Sequence, residues 1–356
     1  FKRIFFGNKF IAMPTPISRR KFLGNVSVGA GTIGLPGYIS QTENKNAAVI
    51  PPSQVNVATV SIMDISASDT PDMIQKVLGI MEDIVPYQPD IICLPEIFAF
   101  ANIARQDYQL KDVAEKVPGP VVTPFLKFAA THKCYIICPT YSMHEGNIYI
   151  SAVLIDRRGQ VVGEYHKMRP AESELKMGIK PGKFDPPVFQ TDFGKIGIQI
   201  CFDIKYEDGW NVLKDKGAQI IFWPSAYAAG QEISSRAWRH QVYIATSTQK
   251  DTSKICDITG ETIVQTGRWQ RNWVCAPVNL EKAFILTWPA VSFFPDIQKK
   301  YGSRIKLTTF SEEEWTIIES LDAGLKIADV LKEYNLKTMH EALKELGAAH
   351  DKAREK

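Results

Sequence analysis

At 356 residues the chain can form one large domain or two ordinary ones, and its 45% apolar and 23% charged residues fit a globular protein with a sizeable core. Its net charge of +3 is uneven: residues 1–40 hold Lys2, Arg3, Lys9, Arg19, Arg20 and Lys21 and no acid, leaving −3 on the remainder, which excludes a basic nucleic-acid-binding body. Six scattered cysteines do not make a disulfide scaffold, and with no CxxC, no HExxH and no ligand spacing among the histidines at 132, 144, 166, 240, 340 and 350, no metal is expected.

Ser18-Arg-Arg-Lys-Phe-Leu23 precedes a weakly apolar, glycine-interrupted run from Phe22 to Pro36. It resembles a twin-arginine export signal, which implies a periplasmic or otherwise exported protein. Met13 would give a more usual signal length, so residues 1–12 read as an over-extended start. The run is too short and too glycine-rich for stable membrane insertion. The polar segment Gln41–Asn46 reads as a linker, so residues 1–46 are set apart as signal and linker.

The body opens with an alternating strand, Val55–Ser61, and a helix over 72–85 with apolar spacing, stopped at Pro86. Asp90 to Glu96 is a continuous apolar run, a strand buried on both faces, with Glu96 at its end. A helix over 121–132 leads to a buried strand, 134–138, and strands 149–156 and 160–165 flank the turn Arg157-Arg-Gly159 as a hairpin. Lys167 lies just past that hairpin. Ile196, Ile198 and Ile200 alternate with Gly197 and Gln199 up to Cys201, where the chain turns polar. A helix over 210–216, a strand over 219–225, a helix over 235–242, a strand over 243–248 and a hairpin over 257–263 follow. Hairpins among alternating strands and helices predict mixed sheets. Beyond residue 305 the character becomes helical: Ser311–Glu314 and Thr338–Glu341 both fit the N-terminal capping box, with Leu321, Leu325, Ala328 and Leu331 between them. Residues 47–305 are thus expected to form the main domain and 306–356 a helical extension that packs on the body or on a second subunit.

A cysteine at the carboxyl end of a buried strand sits where α/β folds place chemistry, although a buried core cysteine is the ordinary alternative. Three reactive residues lie just past apolar runs in order: Leu94-Pro-Glu96, Tyr165-His-Lys167 and Ile200-Cys-Phe-Asp203. With Pro181-Gly182 before the third and Trp223-Pro-Ser225 after it, this order resembles the carbon–nitrogen hydrolase (nitrilase) superfamily over roughly residues 55–290. The resemblance implies an α/β fold, a four-layer α-β-β-α sandwich of two mixed sheets. It also implies a Glu96, Lys167, Cys201 triad, no metal or organic cofactor, and a homodimer or larger homo-oligomer.

The residue types suit that chemistry. A thiol near its usual pKa of about 8.5 needs a base or a cation beside it. Glu96 would take the thiol proton, and Lys167 with the Phe202 N–H would stabilise an oxyanion. By family spacing Glu174 is the second glutamate that orients the lysine, with Glu172 as fallback. Phe202, Trp223, Ser225 and Ala226 are expected at the substrate pocket, Trp223 equally fitting the core. Arg169, Arg236 and Arg239 are candidates for a carboxylate-bearing substrate, and an Asn-containing turn common in the family is missing near Thr246–Gln249. Cys201-Phe-Asp203 sits nearer the amide-hydrolysing pattern. The expected activity is therefore hydrolysis of a linear amide or N-carbamoyl C–N bond through a thioester, on a small-molecule substrate and not on nucleic acid. A nitrilase or a non-catalytic small-molecule-binding member of the fold is the alternative.

Overall fold

The structure, a computed structural model, describes residues 54–105, 108–267, 269 and 271–355. The export signal and linker expected over residues 1–46 lie outside them. No described helix is long and apolar enough to cross a membrane.

The strands run β1 (Gln54–Val60), β2 (Ile91–Cys93), β3 (Tyr135–His144), β4 (Asn147–Ile155), β5 (Val161–His166), β6 (Phe189–Gln190), β7 (Lys195–Ile198) and β8 (Ile220–Ser225). There follow β9 (Tyr243–Thr248), β10 (Lys254–Cys256), β11 (Thr262–Gln265), β12 (Trp273–Asn279), β13 (Lys282–Leu286), β14 (Ile305–Phe310) and β15 (Trp315–Ser320). They build two six-stranded sheets, ordered β12-β1-β2-β3-β4-β5 and β11-β10-β9-β8-β7-β6. Each has a parallel trio, β1-β2-β3 or β7-β8-β9, with antiparallel strands outside it. The mixed sheets expected from interleaved hairpins are present, with helices over their outer faces.

Local sequence accounts for the layers. The helix Thr70–Ile84 starts where Asp69 accepts from the Asp72 N–H at 2.9 Å and Pro71 presets the first turn. It buries Met73, Ile74, Val77, Met81 and Ile84 at helical spacing. The helix Thr123–His132 adds Phe125, Phe128 and Ala129 to the same core. On the second sheet, Trp210 and Leu213 of the helix Asp208–Asp215 meet Ile233 and Ala237 of the helix Gly230–His240 over Ile221, Trp223 and Ile244.

Polar bonds tie the two sheets at one end. Ser247 donates to the carbonyls of Val60 and Cys93 at 2.5 and 3.0 Å, and Ser253 also donates to Val60 at 3.0 Å. The Gln249 amide reaches the Glu96 carbonyl at 2.5 Å. That end holds the carboxyl termini of the parallel strands.

The C-terminal region departs in part from expectation. Ser311–Glu314 is the turn of the hairpin β14–β15, not a helix cap, and with β13 this hairpin forms a third sheet, ordered β13-β15-β14. Alternation of Ile305 with Leu307 and of Trp315 with Ile317 suits strands, and an acidic turn joins them. The helical extension follows, as Ile327–Glu333 and Met339–Arg354, and the second begins with the expected capping box of Thr338 and Glu341. Ile285, Ile297, Ile305, Ile318, Val330 and Leu331 form a separate small core there.

Candidate active site

Three sequence-distant strand ends converge. Glu96 follows β2, Lys167 follows β5 and Cys201 follows β7, and the first two are buried, at 2% and 0% exposure. Lys167 Nζ lies 2.8 Å from Glu96 Oε1 and 2.8 Å from both carboxylate oxygens of Glu174. Glu174 also accepts from the Ala171 N–H at 2.6 Å, which fixes it at the start of the short helix Glu172–Lys176. Glu172, the fallback, is exposed and pairs instead with Lys176 at 2.6 Å. Glu96, the Ala226 N–H and the Ser225 hydroxyl all lie near enough to the Cys201 thiol to shift its titration.

The nucleophile-like turn is strained and braced. Cys201 has φ of 47°, a left-handed conformation uncommon outside glycine, as has Ile97, beside Glu96, at 37°. Buried Asp203 holds the turn, accepting from Tyr165 Oη at 2.6 Å, the Ile200 N–H at 2.7 Å and the Arg169 N–H at 2.7 Å. Gln199 donates to the same Tyr165 oxygen at 3.0 Å. The Trp223 indole donates to the Cys201 carbonyl at 3.1 Å while its ring lies fully buried in the outer core. Gly182 closes the other side. Its N–H donates to the Lys167 carbonyl at 2.8 Å, and a Cβ there would sit 2.2 Å from the His166 carbonyl oxygen.

Electrostatics follow from this burial. Loss of water, then the negative charge of Glu96, push the Cys201 thiol up to about 12, so the resting group carries its proton. Burial also lifts the Glu96 carboxyl above its usual range despite Lys167, making it a stronger base than a surface carboxylate. Burial opposes the charge on Lys167, yet Glu96, Cys201 and Glu174 together raise it well above the ordinary lysine value. Burial lifts Asp203 to about 6 against its hydrogen bonds. A protonated thiol, a basic carboxylate and a fixed cation thus share one site, able to carry out attack by sulfur with proton transfer to the carboxylate.

Of the expected pocket residues, Phe202 is half-buried directly after Cys201, its ring 6.2 Å from Tyr206. Ser225 and Ala226 lie near the thiol and favour its ionised form, and Trp223 lies behind the turn. The sequence reading missed Tyr227, whose hydroxyl is buried without a hydrogen-bond partner among the described residues. Burial, then the charges of Cys201, Glu232 and Glu96, push that phenol up to about 12. Its position two residues past Ser225, at the end of β8, was the available signal. The Asp203–Tyr165–Gln199 network was missed as well. A cleft of ≈530 Å³ between β13 and the helix Met339–Arg354 shares none of these residues.

The candidate substrate-carboxylate cations are already engaged. Arg169 pairs with Asp208 and lies 4.2 Å from the Tyr206 ring centroid and 4.6 Å from that of Phe184. Arg236 and Arg239 both pair with Glu207. No asparagine stands at the turn after β9, where Gln249 holds the Glu96 backbone instead.

An α/β sandwich with a buried glutamate and lysine and a partly buried cysteine at its strand ends defines a class that similarity to known proteins makes specific. The chain belongs to the carbon–nitrogen hydrolase family, which residues 55–283, well over half of its length, match. A deaminated glutathione amidase of Dictyostelium discoideum is 25% identical over 206 residues, 52% of this chain and 71% of that protein. A nitrilase of Pyrococcus abyssi is 28% identical over 178 residues, 49% of this chain and 67% of that protein. Among solved structures, an amidase from Nesterenkonia sp. superposes with a TM-score of 0.57 at 17% identity, covering 65% of this chain and 93% of that one. That likeness establishes the nitrilase-superfamily fold.

Proposed function

We infer that the protein hydrolyses a non-peptide C–N bond, in a small linear amide or N-carbamoyl compound, through a thioester on Cys201. The observation that carries this reading is the convergence of buried Glu96 and Lys167 on the partly buried Cys201. Sulfur attacks the carbonyl carbon while Glu96 takes the thiol proton. Lys167 and the Phe202 N–H stabilise the oxyanion. Collapse breaks the C–N bond as Glu96 protonates the departing amine. Water, losing a proton to Glu96, then cleaves the thioester, releases the acid and restores the thiol. Glu174 acts through Lys167 as a positioning residue, and Trp223 and Asp203 position the Cys201 turn. Ser225, Ala226 and the unpartnered Tyr227 hydroxyl line the substrate side.

Internal pairing of Arg169, Arg236 and Arg239 supports a substrate without a carboxylate. The matched nitrilase of Pyrococcus abyssi supports a second reading, conversion of a nitrile to acid and ammonia. Turnover of matched amide and nitrile pairs, with product analysis, separates the two. Carboxylate and amine from the amide alone are expected. Turnover of the nitrile alone would overturn the amide reading, and turnover of neither would favour a non-catalytic binding member of the fold. Export by the twin-arginine route and assembly into a homo-oligomer complete the proposal.

A further inference from the structure

The face of β5 opposite Lys167 carries a second cluster. Side chains alternate along a strand, so Glu164 and His166 share one face while Tyr165 and Lys167 share the other. Across the sheet His166 pairs with Ser151, Glu164 with Val153, and His144 with Asn147, which puts His144 on the same face as Glu164 and His166. One donor atom from each of His144, Glu164 and His166 lies within 4.8 Å of the others, the only such group of three among the described residues.

We propose that His144, Glu164 and His166 form a binding site for a divalent transition-metal ion of the zinc class. Two imidazoles and one carboxylate suit such an ion, whereas calcium and magnesium prefer oxygen ligands throughout. His144 Nε2 and Glu164 Oε2 are already 3.0 Å apart, close to the ~3.4 Å separation of ligands around a tetrahedral ion with ~2.1 Å bonds. A buried relay orients the second imidazole: Ser142 and Ser151 hydroxyls meet at 2.6 Å, and Ser151 meets His166 Nδ1 at 2.7 Å. Nε2 is then the ring nitrogen left to an ion, the outer-shell arrangement that metal-binding histidines use. Tyr149 stacks on the His166 ring at 4.4 Å and restricts its rotation. His144, with 43% of its side chain exposed, is the ligand that moves to close the set. A cleft of ≈370 Å³ gives access, and Lys183 and Asp185 bring one charge of each sign to it. Three protein ligands leave a fourth position for water. The ion would clamp β3 to β5 across β4, behind the strand end that carries Lys167.

Equilibrium dialysis of the untagged full chain against zinc(II), with bound metal counted by mass spectrometry, tests this independently of any activity. Wild type and Cys201→Ala should each take up one ion per chain, undisplaced by excess calcium(II). His144→Ala and Glu164→Gln, both at solvent-reached positions, should weaken uptake roughly tenfold or more, with circular dichroism unchanged. Absence of uptake by wild type, uptake lost in Cys201→Ala, or full uptake by both ligand variants would overturn the proposal.

Discussion

Cys201 is a poor nucleophile at rest, because burial and the neighbouring carboxylate keep its proton in place. On the proposed thioester route reactivity then rests on Glu96, whose carboxyl burial has lifted above its ordinary range. The base form must be present, so kcat/KM should rise with pH along an acid limb above the usual carboxylate value of about 4.3. Glu96→Gln should abolish that limb and lower kcat/KM roughly 10²–10⁴-fold. An unchanged pH profile in the variant would assign the proton transfer elsewhere. Asp203 offers a stability test of opposite character. Its folded value of about 6 exceeds the unfolded 3.8, so the folded chain retains a proton that the unfolded chain releases. The resulting stability is complete below the unfolded value and disappears as pH rises through about 6. Urea unfolding should show wild type losing up to ~3 kcal/mol relative to Asp203→Asn across that window. A parallel pH dependence of the two proteins would refute it.

At the scale of elements, the site is held by its backbone supports. Gly182 lies so close to the His166 carbonyl that a methyl group has no room, and neither partner is a flexible side-chain end. Gly182→Ala should cost about 1–3 kcal/mol, as overpacking does, and lower turnover by displacing Lys167. Thermal unfolding and steady-state rates check both effects, and a fully stable, fully active variant would contradict this bracing. Most elements were legible in the sequence because alternation and helical spacing are direct consequences of one-sided burial. The three strand ends bearing Glu96, Lys167 and Cys201 were legible for the same reason. Strand β3 runs on to His144, beyond the expected 138, because β2 pairs only as far as Ile137 and leaves Pro139 no ladder bond to break on that side. The β14–β15 hairpin was hidden by chemistry shared between structures: Ser311-Glu-Glu-Glu314 has capping-box spacing, yet strands flank it. Spacing could not reveal the His144–Glu164–His166 group, since its members meet only through sheet pairing.

On the scale of the molecule, the two large sheets bring residues from far apart in the chain to one end, and the third sheet carries the tail. The helix Met339–Arg354 buries Met339 but leaves Leu343 and Leu346 about half exposed, at 47% and 49%. If the proposed assembly uses this stripe, Leu343→Lys with Leu346→Lys should shift the light-scattering mass toward a single chain. An unchanged mass would place the contact elsewhere. The central claim is the thioester at Cys201, and intact-mass spectrometry after brief exposure to a panel of small amides, carbamoyl compounds and nitriles tests it most directly. The account predicts an acyl adduct on the wild type, mapped to Cys201 and missing from Cys201→Ala, which should also lose turnover. Undiminished turnover by Cys201→Ala, or an adduct mapped to another residue, would contradict it.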